Sequence, residues 1–202
     1  MWLQHSQTCP EPGKAAYPMV TVETGILSAD VCERLARTYD RCSSKAGIRD
    51  YNNNPVVYYD NSGLNAEEKA DIRAAVNSVM GIISPQTDIP IHPETVTLVR
   101  TSTGGHFIEH ADNCKQMPDG TWMPNHTPNR HVTAICYLTE NFDGGEIVFP
   151  QHNLAIKPQI GMLVSFKSDQ NHTHLVHPVQ RGHRYSLNVW CTAIQARQLS
   201  MR

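Results

Sequence analysis

The chain has 202 residues, 40% of them hydrophobic and 18% charged, which suffices to bury the core of one domain of ordinary globular composition. A net charge of −2 gives no electrostatic footprint for nucleic acid or an anionic membrane as partner. There is no apolar run of about 18 residues to span a bilayer, residues 1–7 lack the charged and apolar regions of a secretory signal, and six cysteines without a C-x-x-C pair read as free thiols in a reducing, cytoplasmic compartment.

Taken in chain order, the first predicted element is a helix over residues 29–39 capped by Ser28, with Val31, Cys32, Leu35 and Tyr39 recurring every three to four positions. Asn52-Asn53-Asn54-Pro55 is a turn signal, followed by a short strand over 56–59. Asn65 with Glu68 makes a capping box for a second helix, whose face is Ile72, Val76, Val79 and Ile83 and whose stop is Pro85. From Thr95 the pattern changes to short β-rich runs, giving strands near 95–101, 106–110, 130–138, 146–149, 154–156, 161–166, 174–179 and 185–194. Strands at such spacing build a sandwich, barrel or jelly roll. Residues 115–129 hold three prolines, Gly120 and Trp122 without periodicity, and are expected to form a long loop, either a lid or a plain surface excursion. The whole of 1–202 reads as one domain, with a helical N-terminal support over about 1–90 and a β core over about 95–194.

Nine of the eleven histidines lie between His106 and His183, which points to a metal site. His110-Ala111-Asp112 places an imidazole and a carboxylate two residues apart, hence on one face if the segment is a strand. Two imidazoles and one carboxylate on one face of an octahedral ion leave three positions open, the arrangement of Fe(II) sites that bind O2 beside a co-substrate. A second imidazole has three candidates, His172, His174 and His177. Arg184, after the Gly182 turn, offers a guanidinium that pairs naturally with a carboxylate.

Four segments together carry a resemblance. They are His110-Ala111-Asp112-Asn113-Cys114, then Tyr137-Leu138-Thr139-Glu140-Asn141-Phe142-Asp143-Gly144-Gly145, then Pro158-Gln159-Ile160-Gly161-Met162-Leu163-Val164-Ser165-Phe166, and the stretch from His174 through Arg184-Tyr185 to Trp190. In this order the chain resembles the prolyl-hydroxylase-like 2-oxoglutarate and Fe(II)-dependent dioxygenases, most of all the prolyl 3-hydroxylase (leprecan-type) branch. The resemblance covers roughly residues 95–192 and implies a mainly β fold with N-terminal helices and a double-stranded β-helix (jelly-roll, cupin-like) core. In that family the distal histidine precedes the basic co-substrate residue by ten positions, and 184 − 174 = 10 selects His174. His110, Asp112 and His174 are therefore the implied metal ligands. Arg184 and Tyr137 are implied to grip the distal carboxylate of 2-oxoglutarate. Arg100, ten residues before His110, falls where relatives place another pocket residue, and Asn188 and Trp190 share a strand face with Arg184.

The cofactors implied are Fe(II), 2-oxoglutarate and O2, with ascorbate as a reductant. The reaction implied is hydroxylation of an unactivated C–H bond of proline or a prolyl residue, with release of succinate and CO2. Asp112 supplies a carboxylate where halogenating relatives have a small residue, which favours hydroxylation. Leprecan-type proteins are larger, secretory and multidomain, so the substrate need not be collagen-like. The same chemistry on a free amino acid or an amino-acid-derived intermediate is the alternative. A non-enzymatic cupin-like binding module and a zinc-dependent hydrolase are the rivals, and neither gives Arg184 a role. Blander readings stand beside the residues: His172, His177 and His183 as surface or supporting groups, His106 and His131 as core-edge or site-lining, Tyr137 as core, Gly144-Gly145 as a turn, and Arg100 as an ordinary solvated side chain.

Overall fold

The computed structural model describes residues 20–43, 49–51, 54–60 and 62–193. Residues 1–19 of the expected helical support, Cys9, Asn52 and Asn53 of the expected turn, and Ile194 at the expected end of the last strand lie outside the described residues.

The chain begins with Thr21–Glu23 (β1), helix Ala29–Ser43 (α1), the hairpin Arg49–Tyr51 (β2) and Asn54–Tyr58 (β3), and helix Ala66–Ile83 (α2). The long strand Ile91–Ser102 (β4) follows, then Phe107–His110 (β5), Cys114–Gln116 (β6), Trp122–Pro124 (β7), Arg130–Tyr137 (β8) and Asp143–Gly144 (β9). Ile147–Phe149 (β10), Leu154–Ile156 (β11), Leu163–Lys167 (β12), His174–Val176 (β13), Val179–Arg181 (β14) and His183–Ala193 (β15) complete it.

Both helices form where the sequence marks them. The Ser28 hydroxyl accepts from the Val31 amide at 3.4 Å, and α1 buries Cys32, Leu35, Tyr39 and Cys42. Cys42 continues that apolar face, so the helix runs past its expected end at Tyr39. At α2 the Asn65 side chain accepts from the Glu68 amide at 2.9 Å, while the Glu68 carboxylate accepts from the Asn65 amide at 2.8 Å. Pro85 then falls in the first turn of a short 3-10 segment, where its missing N–H costs the α-helix its continuation.

Seven strands make one sheet in the order β1-β12-β8-β15-β4-β3-β2, and four make a second, β11-β10-β13-β5. One face of the large sheet packs on α1 and α2 through a core that includes Leu35, Tyr39, Ile72, Val79, Leu98, Leu163 and Leu187. Its other face meets the small sheet through Ile135, Tyr137, Ile147, Phe149, Val164, Phe166 and Val176. Fully buried side chains of this size contribute roughly 1.5–3 kcal/mol each, which fixes the strand faces firmly. The result is the jelly-roll core that the resemblance implied, with α1 and α2 on one side of it.

Two expectations need correcting. The predicted strand over 174–179 is broken at His177-Pro178 into β13 and β14, which join different sheets, because proline cannot donate to a ladder. The stretch over 115–129 is not a bare loop: β6 and β7 pair as a two-stranded ribbon, with Cys114 opposite Pro124 and Gln116 opposite Trp122. Cys32, Cys42, Cys114, Cys136 and Cys191 are buried, and none is in a disulfide among the described residues. Among the described residues no helix is long and apolar enough to cross a membrane.

Candidate metal centre

The cavity between the two sheets receives side chains from both. From the small sheet come His110, the last residue of β5, and His174, the first of β13, which sit directly opposite each other in antiparallel register. Their rings lie 4.4 Å apart. Each ring is fixed by its Nδ1–H, which donates to the carbonyl of the residue two before it, Ile108 at 2.8 Å and His172 at 3.1 Å. That choice of tautomer turns both Nε2 lone pairs toward the cavity. Phe166 and Phe149 close over His174, with ring centres 4.6 and 5.8 Å away.

Asp112 completes the group, with its carboxylate oxygens 3.9 Å from Nε2 of His110 and 3.9 Å from Nε2 of His174. One ligand atom from each of the three residues lies within 4.8 Å of the others. The carboxylate does not reach this place along a strand. β5 ends at His110, and Asp112 sits in the bend after it. The two-apart strand argument is therefore replaced by hydrogen bonding. The Asp112 and Asn113 amides both donate to the Ser168 carbonyl, at 3.1 and 3.0 Å. The Asp112 carbonyl accepts from Asn125 Nδ2 at 3.1 Å and Thr127 Oγ1 at 2.8 Å, both just beyond the β6–β7 ribbon. Thr133 Oγ1 donates to Asp112 Oδ2 at 2.6 Å and meets Ser168 Oγ at 2.9 Å.

Charge is arranged to suit a cation. Burial by itself would raise the Asp112 carboxyl, but His174, His110, the Thr133 hydroxyl and Arg130 outweigh it and leave its pKa lowered. Burial pulls His174 down to about 4, so its imidazole is neutral near neutrality and free to ligate. Two imidazole nitrogens and an ionised carboxylate on one side of a cavity fit Fe(II) and similar divalent ions.

Arg184, only 3% exposed, lines the same cavity. Its Nη2 donates to Tyr137 Oη at 3.3 Å, and its guanidinium carbon stands 4.8 Å from the centre of the Tyr137 ring. Among the described residues no acid forms an ion pair with it. Its Nε has no hydrogen-bond partner, nor do the hydroxyls of Thr101, its register partner on β4, and Ser186, two residues along β15. A buried guanidinium with unsatisfied donors around it costs stability unless an anion arrives. This cradle fits the distal carboxylate of 2-oxoglutarate. Gly144 and Gly145 let β9 pass close by: a Cβ on Gly144 would lie 2.3 Å from the Pro178 carbonyl oxygen, and one on Gly145 3.2 Å from Arg184 Cδ.

Asn188 and Trp190 line the cavity on the same strand face as Arg184. Arg100 does not. Thr97 and Val99 of β4 point into the cavity, so Arg100 points the other way, onto α1, where it pairs with Asp40 at 3.2 Å and stacks over Tyr39. The pocket position expected for it is thus corrected. His106 is exposed, and His131 does not line the cavity. His177 is exposed beside Glu146, while His172 is buried with its Nδ1 on Asp169.

Sequence reasoning missed Arg130, Thr133 and Thr127. Thr133 could have been found by stepping back along β8 from Tyr137 in twos. Arg130 could not, because a bulge between β8 and β15 shifts the register there and brings residue 130, not 131, to the inner face.

Residues 96–192 match the profile of the 2OG-Fe(II) oxygenase superfamily. The chain carries a 2OG-Fe(II) oxygenase domain. That domain is similar to prolyl 3-hydroxylase 2 of Mus musculus, at 34% identity over 91 residues, covering 41% of this chain and 13% of that protein. It is also similar to the hypoxia-inducible factor prolyl hydroxylase of Caenorhabditis elegans, at 26% identity over 156 residues, covering 71% of this chain and 20% of that protein. The chain therefore spans a small part of these relatives' length. Among solved structures, the viral collagen prolyl hydroxylase of Paramecium Bursaria Chlorella virus-1 shares the oxygenase fold, with a TM-score of 0.64 at 21% identity, covering 88% of this chain and 97% of that one.

Proposed function

We propose that this protein is a 2-oxoglutarate- and Fe(II)-dependent hydroxylase acting on proline or a prolyl residue in a reducing, cytoplasmic compartment, its helices and jelly roll working as one domain. The observation that carries the reading is Arg184: a buried cation that no acid among the described residues pairs with, in the same cavity as a His-Asp-His cluster. A zinc hydrolase or a passive metal-binding module has no use for that charge. The relatives named for prolyl hydroxylation support proline as the target.

In this reading His110, Asp112 and His174 hold the metal, and Arg184 with Tyr137 holds the distal carboxylate of the co-substrate. The bound Fe(II) would supply O2 activation coupled to oxidative decarboxylation of 2-oxoglutarate, giving succinate, CO2 and a hydroxylated product. The chain's own residues do the positioning. Thr133 keeps one Asp112 oxygen engaged, so the carboxylate presents the other toward the metal. Phe149, Phe166 and Val176 keep the ligand side apolar and exclude water. Arg184 fixes the far end of the co-substrate through charge-assisted hydrogen bonds.

Anaerobic addition of Fe(II) and 2-oxoglutarate to the metal-free protein tests this. A weak visible charge-transfer absorption that needs both components, followed by succinate release on admitting O2, is the expected result. Binding of Fe(II) with no response to 2-oxoglutarate would remove the hydroxylase reading.

A further inference from the structure

A second cation stands at the cavity wall. Arg130, the first residue of β8, lines the same space as Arg184, with 14% of its side chain accessible. Its guanidinium carbon is 4.3 Å from the centre of the Trp190 ring, so the two side chains are packed together. Glu94 Oε2 approaches its Nε only to 3.8 Å, beyond hydrogen-bonding reach. That Nε is buried, and among the described residues it has no hydrogen-bond partner.

The two arginines serve opposite ends of the cavity. Trp190 lies six residues beyond Arg184 on β15, roughly 20 Å along the strand. It is the register partner of Thr133, whose hydroxyl holds Asp112. Arg130 and Trp190 therefore stand at the metal end, and Arg184 stands with Tyr137 at the other. A 2-oxoglutarate whose distal carboxylate rests on Arg184 leaves Arg130 unanswered. Between the two cations, Trp190 Nε1, Asn188 Oδ1 and Thr97 Oγ1 are also buried without partners among the described residues. Thr97 and Asn188 sit directly opposite each other across β4 and β15. Buried donors and acceptors left unpaired are costly, so their concentration in one cavity points to a ligand.

We infer that the substrate is free proline, held as its zwitterion, with its carboxylate on Arg130 and the Trp190 indole N–H and its protonated nitrogen on Asn188 and Thr97. The inference rests on the hydroxylase reading of the cavity and chooses between the two forms of proline that reading allows. A guanidinium with an indole N–H suits a carboxylate, while an amide oxygen with a hydroxyl suits a protonated amine. Val56, Phe107, Ile135 and Val176 supply an apolar wall for the ring. The cavity volume of about 280 Å3 is at the small end of ligand pockets, which start at roughly 300 Å3, and matches a substrate no larger than one ring and its charges. A prolyl residue inside a chain carries neither charge and offers Arg130 only a neutral carbonyl.

The test loads the whole chain with Fe(II) and 2-oxoglutarate without O2 and titrates it calorimetrically with L-proline, L-prolinamide and an end-blocked glycyl-prolyl-glycine. L-prolinamide keeps the ring and the amine and lacks only the carboxylate. It should bind roughly 10- to 100-fold more weakly than L-proline, the worth of charge-assisted hydrogen bonds, and the tripeptide should bind no better. Arg130→Met keeps the length and removes the charge. It should weaken L-proline by the same factor and leave L-prolinamide as before, so that the ratio of the two affinities falls to near one. A folding defect would weaken both alike and leave that ratio standing. On admission of O2, succinate release should rank the three compounds in the same order. L-prolinamide or the tripeptide binding as tightly as L-proline, an unchanged ratio in Arg130→Met, or no binding of L-proline overturns the inference. Failure of the hydroxylase reading looks different: no Fe(II)–2-oxoglutarate absorption and no succinate with any compound.

Discussion

The two ends of the cavity are held by different means. Arg184 and Tyr137 sit on long strands of the large sheet, where β15 pairs with β4 over eleven residues and with β8 over seven. Asp112 sits off any strand, in a bend secured by single hydrogen bonds, one to the Ser168 carbonyl and others from Asn125, Thr127 and Thr133. His110 and His174 lie between these extremes, on short strands with a register shift beside them. The co-substrate end is therefore stiff by packing, while the carboxylate end of the metal site depends on a few polar contacts that can be removed singly.

The largest expected effect comes from breaking the site itself. His174→Ala should lower Fe(II) affinity by more than about 100-fold, since even groups behind metal ligands cost roughly 10–100-fold. Isothermal titration of the metal-free protein measures it. His172→Ala and His177→Ala should bind Fe(II) normally: His172 serves His174 through its carbonyl, which alanine keeps, and the His177 side chain faces Glu146 and solvent. A reversed order of effects would move the ligand to another histidine. At the stiff end, Arg184→Ala should raise the apparent KM for 2-oxoglutarate roughly 10- to 100-fold, the worth of about 1.5–3 kcal/mol of charge-assisted hydrogen bonding, with Fe(II) affinity unchanged.

At the polar end, Thr133→Val keeps shape and removes only the hydroxyl that donates to Asp112. It should weaken Fe(II) binding by about tenfold, the lower end of the range for groups that orient ligands. Thr127→Val, which acts on the Asp112 carbonyl and not the carboxylate, should cost less, and Thr127→Ser should restore binding. If both valine variants bound Fe(II) like the parent, the contrast between a packed end and a pinned end would be wrong.

The same contrast explains what could be read from the sequence. Long elements with strong periodicity were legible: α1 from Leu35 and Tyr39, α2 from its capping box, β15 from its alternation. The site residues on such elements, Arg184, Asn188, Trp190 and Tyr137, converge on one cavity or its edge because parity along a regular strand is predictable. Asp112 reaches the cavity for a reason the sequence hides, since its anchors lie 13 to 56 positions away, at Asn125 and Ser168 among others. Arg130 replaced His131 at the cavity wall through a bulge that no residue pattern announces. The ribbon over residues 114–124 escaped notice because three-residue strands carry too little alternation to register.

Arg100 gives the smallest effect and the sharpest check on parity. Its place ten residues before His110 suggested a pocket residue, yet Thr97 and Val99 face the cavity, so residue 100 must face the helices. There it bridges Asp40 and the Tyr39 ring, and Tyr185 donates to the same Asp40 oxygen at 2.8 Å. The pair is partly exposed, with 30% of the arginine side chain accessible, so its loss should cost no more than about 1 kcal/mol of stability. Arg100→Ala should accordingly lower the melting temperature by a few degrees while leaving the apparent KM for 2-oxoglutarate where it was. A rise in that KM comparable to the one expected for Arg184→Ala would mean that the guanidinium reaches the cavity after all, and that β4 runs in the opposite parity.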